Sequence, residues 1–270
     1  MNISDSDFEQ VRAFMLKQYG INLEKKRSLI EGRLSQLVEE NGCDSFRDYV
    51  SAAMTNPKLQ QQMVTRLTTN YTYFQREEVH FNYMVKEAVP AMLADNPHKR
   101  SLKLWSAGCS SGDEPYTISI FLREMMAAGS PISMYSIQAT DISDDMLQHA
   151  QQGCYTEDNL KTLSPALRAK YLTPAGEGEW KLSPLVAAPI RFSKLNLMQP
   201  FPIGFQRFDI IFCRNVMIYF TQETRKELTQ KFYDALNPGG YLFIGLSENI
   251  PGAKVGFQMM RPSVFQKARV

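Results

Sequence analysis

The spacing of apolar residues is helical up to about residue 67 and becomes strand-like after about residue 101. In the first part, apolar side chains recur every three or four positions, which is typical of helices that pack along one face. Four helices are expected there from capping and breaking signals at Ser4 or Ser6, Gly20, Leu23, Asn41-Gly42, Asp44 or Ser45, and Pro57. The sequence therefore predicts an all-helical N-terminal domain over residues 1–80 and a linker helix over 81–100.

From residue 101 onward, short apolar runs alternate with helical patterns. Strands are expected at 102–105, 135–141, 190–197, 208–215 and 241–245, with a closing hairpin at 257–260 and 263–267. Helices are expected at 116–126, from Ser143 or Asp144, at 165–171 and at 222–236. This alternation predicts an α/β domain with a mainly parallel sheet over 101–270. Two glycines and a tryptophan within 172–190 indicate a small hairpin that leaves the main sheet.

A glycine-rich turn at 105–115 connects the first expected strand to its helix. Gly108 allows a tight turn and close approach of a ligand, while Asp113 is a candidate N-cap and Pro115 suits the first helical turn. Open α/β sheets bind nucleotides at such turns. However, the spacing is not GxGxxG, and the carboxylate of Glu114 would repel phosphate and favour a cationic ligand. An ordinary strand–helix turn is the alternative.

Two further features are candidates for ligand binding. Asp141 ends the second expected strand, where an acid commonly accepts hydrogen bonds from ribose hydroxyls, although it could instead cap the next helix. Residues 68–78 mix side-chain donors with aromatic rings and have no helical period. They either form a capped turn before the linker helix or lie across a ligand site.

The composition of the chain disfavours several classes of protein. The chain has 270 residues, 44% hydrophobic residues and a net charge of +2, which does not suggest a nucleic-acid-binding protein. No apolar run approaches the roughly 18 residues that span a membrane, and the acidic N-terminus is not typical of a signal peptide. Four scattered cysteines and three histidines have no metal-site spacing, so no metal is expected. We expect a cytoplasmic protein with reduced thiols, and a monomer because no long exposed heptad is present.

Several blocks together resemble a known family. The glycine turn, the acid after the second strand, the strand at 208–212 and the Leu-Asn-Pro-Gly-Gly helix end at 236–240 resemble the Rossmann-like class I methyltransferases that use S-adenosylmethionine. Blocks 70–76, 107–116 and 213–220 look like the signature blocks of the CheR family, the bacterial chemotaxis receptor methyltransferases, which esterify receptor glutamates. The resemblance covers nearly the whole chain. It departs at Gln75 and Asp113, where the family usually has Phe and Glu.

The resemblance implies a cofactor site, with S-adenosylhomocysteine as product. Ten residues, among them Gly108 of the turn, are expected to line this site: Asn70, Thr72, Arg76, Gly108, Glu114, Asp141, Asn196, Leu197, Arg214 and Asn215. Among these, Asp141 would accept from the ribose, Glu114 would take the cofactor's ammonium group, and Asn196 and Leu197 would frame the adenine. Arg76 and Tyr219 are the candidates for holding the acceptor carboxylate.

The resemblance also bears on the protein partner. In the family, the region corresponding to 172–190 is a small β-subdomain that in some members binds a pentapeptide tether at the receptor's C-terminus. Here it is short and lacks the Gly-Tyr-Arg-like element of tether binders, so we expect tether-independent recognition. The basic residues Lys26, Arg27 and Arg33 would then contact the acidic methylation helix of the receptor, unless they form only a solvated face.

Two other functions compete with this hypothesis. The first is a methyltransferase for a small carboxylic acid or for RNA, which the helical domain and the weak net charge disfavour. The second is a non-catalytic S-adenosylmethionine-binding adaptor, which the presence of Arg76 and Tyr219 disfavours.

Overall fold

A computed structural model describes residues 2–68 and 70–269. Its N-terminal part is all-helical, as predicted, and consists of α1 (Asp5–Tyr19), α2 (Arg27–Glu40), α3 (Phe46–Thr55) and α4 (Pro57–Leu67). The side chains of Ser4, Ser45 and Asn56 cap the starts of α1, α3 and α4, and Gly20 ends α1 in the left-handed region. Within the described residues, no helix combines the length and apolar character needed to cross a membrane.

The start of α2 was predicted wrongly. It was expected near Leu23, but the helix begins at Arg27. The preceding residues are held extended against the C-terminal domain, because Ile21 forms a β-bridge with Phe220 and the Asn22 N–H donates to the Tyr219 carbonyl over 2.8 Å. A tertiary contact therefore overrides the local helical pattern.

The linker helix is interrupted. It consists of α5 (Val79–Tyr83), a π-helical turn (Met84–Ala88) and α6 (Val89–Asp95), where the sequence predicted one regular helix. Pro90 lies in the first turn of α6. Proline has no N–H and its ring clashes with the carbonyl four residues earlier in a regular α-helix, so the wider turn just before it relieves this conflict.

The central sheet has seven strands and the predicted mainly parallel character. Its strands are β1 (Ser101–Ala107), β2 (Met134–Asp141), β6 (Ile190–Lys194), β7 (Phe208–Cys213), β8 (Leu236–Ile244), β9 (Phe257–Arg261) and β10 (Val264–Lys267). Their order is β6-β2-β1-β7-β8-β10-β9. The first five are parallel, and the antiparallel β10 and β9 close one edge. The expected closing hairpin is thus confirmed.

Strand β8 begins earlier than expected, at Leu236 instead of Tyr241. Phe208 pairs with Leu236, and Ile210 pairs with Tyr241, so the ladder skips between these two pairs. The Asn-Pro-Gly-Gly segment at 237–240 is accommodated as a bulge within the strand instead of a loop before it.

Each face of the sheet is covered by its own core. Along β1, Trp105 and Ala107 point into the core that the four N-terminal helices share, whereas Leu102 and Leu104 point into the opposite core. This alternation is the two-residue period of a strand. The helices that complete the domain are α7 (Asp113–Ala127), α8 (Asp144–Gln152), α9 (Glu157–Leu160), α10 (Pro165–Tyr171), α11 (Pro184–Ala187), α12 (Gln222–Ala235) and α13 (Gly252–Val255).

The predicted excursion from the sheet is confirmed as a small β-subdomain. It contains the expected hairpin, β4 (Leu172–Gly176) and β5 (Glu179–Leu182), and a short strand β3 (Cys154–Thr156) that the sequence did not predict. The order is β3-β5-β4, and both pairings are antiparallel.

The N-cap of α7 was also predicted wrongly. Gly112, not Asp113, is the capping residue, with φ at 93°. A Cβ there would lie 2.8 Å from that of Ala150, so only glycine fits. Asp113 is the first residue of the helix and is buried, and its carboxylate accepts from the Ser111 hydroxyl over 2.6 Å.

Candidate active site

A cleft lies at the carboxyl ends of β1, β2, β6 and β7. The strand order reverses between β1 and β7, and ligands of open α/β sheets bind outside such a switch point. The cleft spans about 1030 Å³ when the space open to solvent is included, and it also takes wall residues from the end of α1 and from the segment after α4. It brings together all the predicted cofactor and catalytic residues: Asn70, Thr72, Arg76, Gly108, Glu114, Asp141, Asn196, Leu197, Arg214, Asn215 and Tyr219.

Asp141 lies at the end of β2 with both carboxylate oxygens engaged. The N–H of Ser110 donates to Oδ2 over 2.8 Å, and the N–H of Ser143 donates to Oδ1 over 3.0 Å. Ser143 itself caps α8, so Asp141 is not the N-cap. Burial raises the pKa of the Asp141 carboxyl, while the backbone donors oppose this shift. Each carboxylate oxygen keeps a further lone pair, so the group can still accept from a ribose hydroxyl.

Glu114 lies in the first turn of α7, below the glycine turn. The Ser106 hydroxyl donates to its Oε1 over 2.6 Å, and Nη1 of Arg214 donates to its Oε2 over 3.0 Å. Burial is the largest influence and raises the pKa of the Glu114 carboxyl, while Arg214 acts in the opposite direction. This wall of the cleft therefore holds a carboxylate that is nearly removed from water, which suits a cationic ligand.

Glu77 contacts two residues that line the cleft, and it was not predicted from the sequence. Its Oε2 lies 3.1 Å from Nη2 of Arg214, which also donates to the carbonyl of Arg76, and its Oε1 accepts from Nδ2 of Asn215 over 3.3 Å. The adjacent Arg76 lies in a recognised block, but nothing local marks Glu77 as a neighbour of the cleft, because Arg214 and Asn215 are more than 130 positions away. The φ of Glu77 is 57°, a left-handed value that non-glycine residues rarely adopt.

Glu248 is a second residue that was missed. Its carboxylate accepts from the N–H groups of Asn215 at 2.8 Å, Ile218 at 3.0 Å and Gly245 at 2.6 Å. These bonds join the segment after β7 to the end of β8. Asn215 has φ at 60°, so Glu248 helps to hold a strained backbone at the cleft wall.

Arg76 and Tyr219 are far apart in the sequence but line the same cleft. Nη1 of Arg76 donates to the Tyr71 carbonyl over 2.6 Å, and its guanidinium lies 5.7 Å from the centre of the Tyr71 ring. Both Arg76 and Tyr219 are half-buried. Their side chains can therefore meet a ligand that enters from solvent.

The remaining predicted residues join the cleft to the helical domain. Nδ2 of Asn196 donates to the Gln18 carbonyl at the end of α1 over 2.8 Å, and the carbonyl of Asn70 accepts from the Ser110 hydroxyl over 3.0 Å. Leu197 is buried beside them and Thr72 is half-buried. The apolar surface needed to hold an adenine ring is therefore present on this side.

The three basic residues of α2 have unequal surroundings. Arg33 donates to the carbonyls of Arg66, Leu67 and Thr68, at the end of α4, over 2.9–3.2 Å. Arg27 pairs with Asp5, and Lys26 is exposed. Two of the three side chains thus contribute to the fold of the helical domain, and their predicted role in partner binding remains a prediction.

The donor set fits S-adenosylmethionine. Asp141 lies where it can accept from two neighbouring hydroxyls, and Glu114 is placed for an ammonium group. Apolar side chains lie near Asp141. When bound, this cofactor supplies an electrophilic methyl group on a sulfonium.

Models of one methyltransferase family match both parts of the chain. The CheR methyltransferase all-alpha domain matches residues 6–68, and the CheR methyltransferase SAM binding domain matches residues 70–265. The chemotaxis protein methyltransferase of Borreliella burgdorferi is 37% identical, over 99% of this chain and 96% of its own length. Chemotaxis protein methyltransferase Cher2 of Pseudomonas putida is 36% identical, over 100% of both chains.

A solved structure with lower sequence identity also matches. Magnesium protoporphyrin IX methyltransferase from Synechocystis PCC 6803, with bound SAM, is 15% identical with a TM-score of 0.40, over 87% of this chain and 96% of that one. The cofactor assignment rests on the family models and the curated relatives instead.

Proposed function

This chain belongs to the CheR methyltransferase family and uses S-adenosylmethionine, and we propose that it methylates glutamate side chains of chemotaxis receptors. The products would be glutamate methyl esters and S-adenosylhomocysteine, and the modification would serve sensory adaptation. The acceptors would be cytoplasmic methylation helices of membrane receptors, so the enzyme would act in the cytoplasm, as a monomer.

The observation that carries this proposal is the charge environment of Arg76. Two arginines line the cleft. Arg214 is neutralised by Glu77 and Glu114. Among residues 2–68 and 70–269, by contrast, Arg76 contacts a carbonyl oxygen and an aromatic ring but no carboxylate. A guanidinium in this state is suited to an incoming carboxylate, which it can grip with two parallel N–H groups.

The main task of the enzyme in this reaction is to position the acceptor carboxylate. A glutamate carboxylate is already ionised near neutral pH, so no general base is needed. Arg76 would orient one carboxylate oxygen, and the Tyr219 hydroxyl would donate to the other. Orientation of this kind can lower the activation free energy by several kcal/mol, and by about 7–11 kcal/mol in the best cases. The contact must remain an orienting one, because a tight ion pair would lower the nucleophilicity of the attacking oxygen.

Substitution of Arg76 tests the proposed acceptor. We expect Arg76→Ala to lower methyl transfer to a receptor fragment by about 10²-fold, the scale for misplacement of a reacting group. Arg76→Lys should recover part of the rate, because it keeps the charge without the fork. The matched control is Arg191→Ala, at an exposed position of β6. Near-normal turnover of Arg76→Ala with cofactor binding intact would contradict the proposal.

We also propose that recognition does not use a receptor tether. A tether that adds to the β-subdomain as a strand needs backbone donors along an exposed edge. Here one edge strand, β3, has three residues, and the other, β4, contains Pro174, which has no N–H. Calorimetry with a receptor C-terminal pentapeptide should therefore detect no binding. A dissociation constant in the micromolar range would refute tether independence and leave the methyltransferase assignment intact.

A further inference from the structure

One guanidinium lies between two carboxylates at the base of the cleft. Nη1 of Arg214 is 3.0 Å from Oε2 of Glu114, and Nη2 is 3.1 Å from Oε2 of Glu77. The exposed fractions of the three side chains are 2% for Arg214, 12% for Glu114 and 16% for Glu77. The guanidinium also lies 5.0 Å from the centre of the Phe81 ring. The three charges are therefore largely shielded from water and act strongly on one another.

The charges of this group do not cancel. Two carboxylates face one guanidinium, and the fourth ionisable neighbour, His80, is completely buried beside Glu77 with its pKa lowered to about 4, chiefly by burial. His80 is therefore uncharged at neutral pH. Burial raises the pKa of the Glu77 carboxyl, but Arg214 and Asn215 together outweigh burial and lower the pKa overall, so Glu77 is ionised at neutral pH. With Glu114 ionised, the group carries one excess negative charge, and a partly buried excess charge is stabilised when a cation binds.

We propose that Glu77 is a positioning residue of the cofactor site, which competes for Arg214 and so leaves the charge of Glu114 available to the ammonium group of S-adenosylmethionine. This inference rests on the proposed role of Glu114. Without the charge of Glu77, Arg214 would form an ion pair with Glu114 alone. The ammonium group would then face an ion pair that has no net charge. Glu77 does not touch the cofactor in this scheme; it acts through the arginine.

The remaining contacts of Glu77 explain why it can hold this position. Its carboxylate also accepts from the Leu246 N–H over 3.3 Å and from Nδ2 of Asn215 over 3.3 Å. These bonds hold the carboxylate at Nη2 of Arg214, whereas Glu114 contacts Nη1. They also offer an ordinary structural role for Glu77, and the test must separate the two.

Two ligands separate the roles in calorimetry. S-adenosylhomocysteine has the ammonium group, and 5′-methylthioadenosine has the same nucleoside without the amino-acid part. We expect Glu77→Gln, which keeps the shape of the side chain, to weaken S-adenosylhomocysteine binding about tenfold, as loss of part of a charge-assisted hydrogen bond implies. Binding of 5′-methylthioadenosine should change by less than about twofold. The matched control is Glu78→Gln at the adjacent exposed position, which should change neither.

Equal weakening of both ligands in Glu77→Gln would overturn the inference, because a structural role affects both. No weakening of either would also overturn it. Glu114→Gln tests the proposed site itself. If Glu114→Gln loses the preference for the ligand with the ammonium group and Glu77→Gln keeps it, only the role of Glu77 is refuted. If Glu77→Gln does not fold, Glu77→Asp keeps the charge and should retain the ammonium preference, and its loss would refute the inference.

Discussion

The backbone N–H of Ser110 donates to Oδ2 of Asp141 over 2.8 Å and so joins the turn after β1 to the end of β2. Ser110 has φ at 48°, a left-handed value that directs its N–H toward the neighbouring strand end. The N–H of Ser143 holds the other oxygen. The carboxylate is thus fixed before any ligand binds, and reordering it on binding costs little entropy.

Asp141→Asn should weaken cofactor binding. The amide has one acceptor oxygen in place of two, so its NH₂ group must face one of the two backbone donors. Loss of hydrogen bonds to a charged group costs about 1.5–3 kcal/mol, which corresponds to roughly 10–150-fold in the dissociation constant of S-adenosylhomocysteine. The control is Asp144→Asn, at an exposed residue that pairs with Lys194. Calorimetry that gives both variants the wild-type affinity would contradict the ribose role.

His80 should make the folded state sensitive to mild acid. Burial and the nearby Arg214 lower its pKa to about 4, and Glu77 opposes this shift. An unfolded histidine titrates near 6.5, so the unfolded state binds more protons between these values. The stability contributed by the neutral ring is complete above about pH 6.5 and is lost as the pH falls through 4.

Urea unfolding between pH 7 and pH 4.5 measures this effect. As the pH is lowered, we expect the free energy of unfolding to fall more steeply in the wild type than in His80→Gln. The difference should reach on the order of 3 kcal/mol over the full titration of His80. His98→Gln, at an exposed position, should keep the wild-type slope. Equal slopes in the wild type and His80→Gln would show that His80 does not titrate as proposed.

Gly245→Ala should disturb the join between β7 and β8. An added Cβ would lie 2.6 Å from Nδ2 of Asn215 and 2.9 Å from Oε2 of Glu248. Overpacking of this kind costs about 1–3 kcal/mol in unfolding free energy. Gly32→Ala is the control, because nothing lies within 4 Å of its Cβ and alanine favours its helix by up to about 1 kcal/mol. Thermal unfolding should separate the two variants in opposite directions, and a Gly245→Ala protein as stable as the wild type would contradict the packing described.

Lys26 provides the cleanest test of the docking role of α2. Arg33 and Arg27 hold other parts of the helical domain, so reversing their charge would confound binding with folding. Lys26→Glu should leave stability unchanged and raise the KM for a receptor fragment several-fold, with a larger effect at low salt. Lys254→Glu, exposed on α13, should have no such effect. An unchanged KM for Lys26→Glu would remove Lys26 from the predicted docking surface.

The parts of the site that depend on local pattern could be predicted from the sequence. Gly20 ends α1, and Asp141 lies at the end of β2 beside the glycine turn, because these features follow from a few neighbouring residues. Glu77 and Glu248 could not be predicted in this way. Both contact Asn215, which lies 33 positions from Glu248 and 138 positions from Glu77, and they meet it only when the chain folds.

Errors in the predicted elements have the same origin. The pattern after Leu23 is helical, but the β-bridge of Ile21 to Phe220 delays α2. Asp113 has the chemistry of an N-cap, yet Gly112 takes that position because Ala150 leaves no room for a side chain. In each case a contact from a distant part of the chain decides between locally similar outcomes.

Transfer of labelled methyl groups from S-adenosylmethionine to receptor cytoplasmic fragments, with and without their C-terminal tails, tests the central claim most directly. We predict base-labile label on both forms, which would establish carboxyl methylation that needs no tether. Label on tailed fragments alone would contradict tether independence. No label on any fragment, by a protein that binds the cofactor, would contradict the proposal that this chain methylates receptor glutamates.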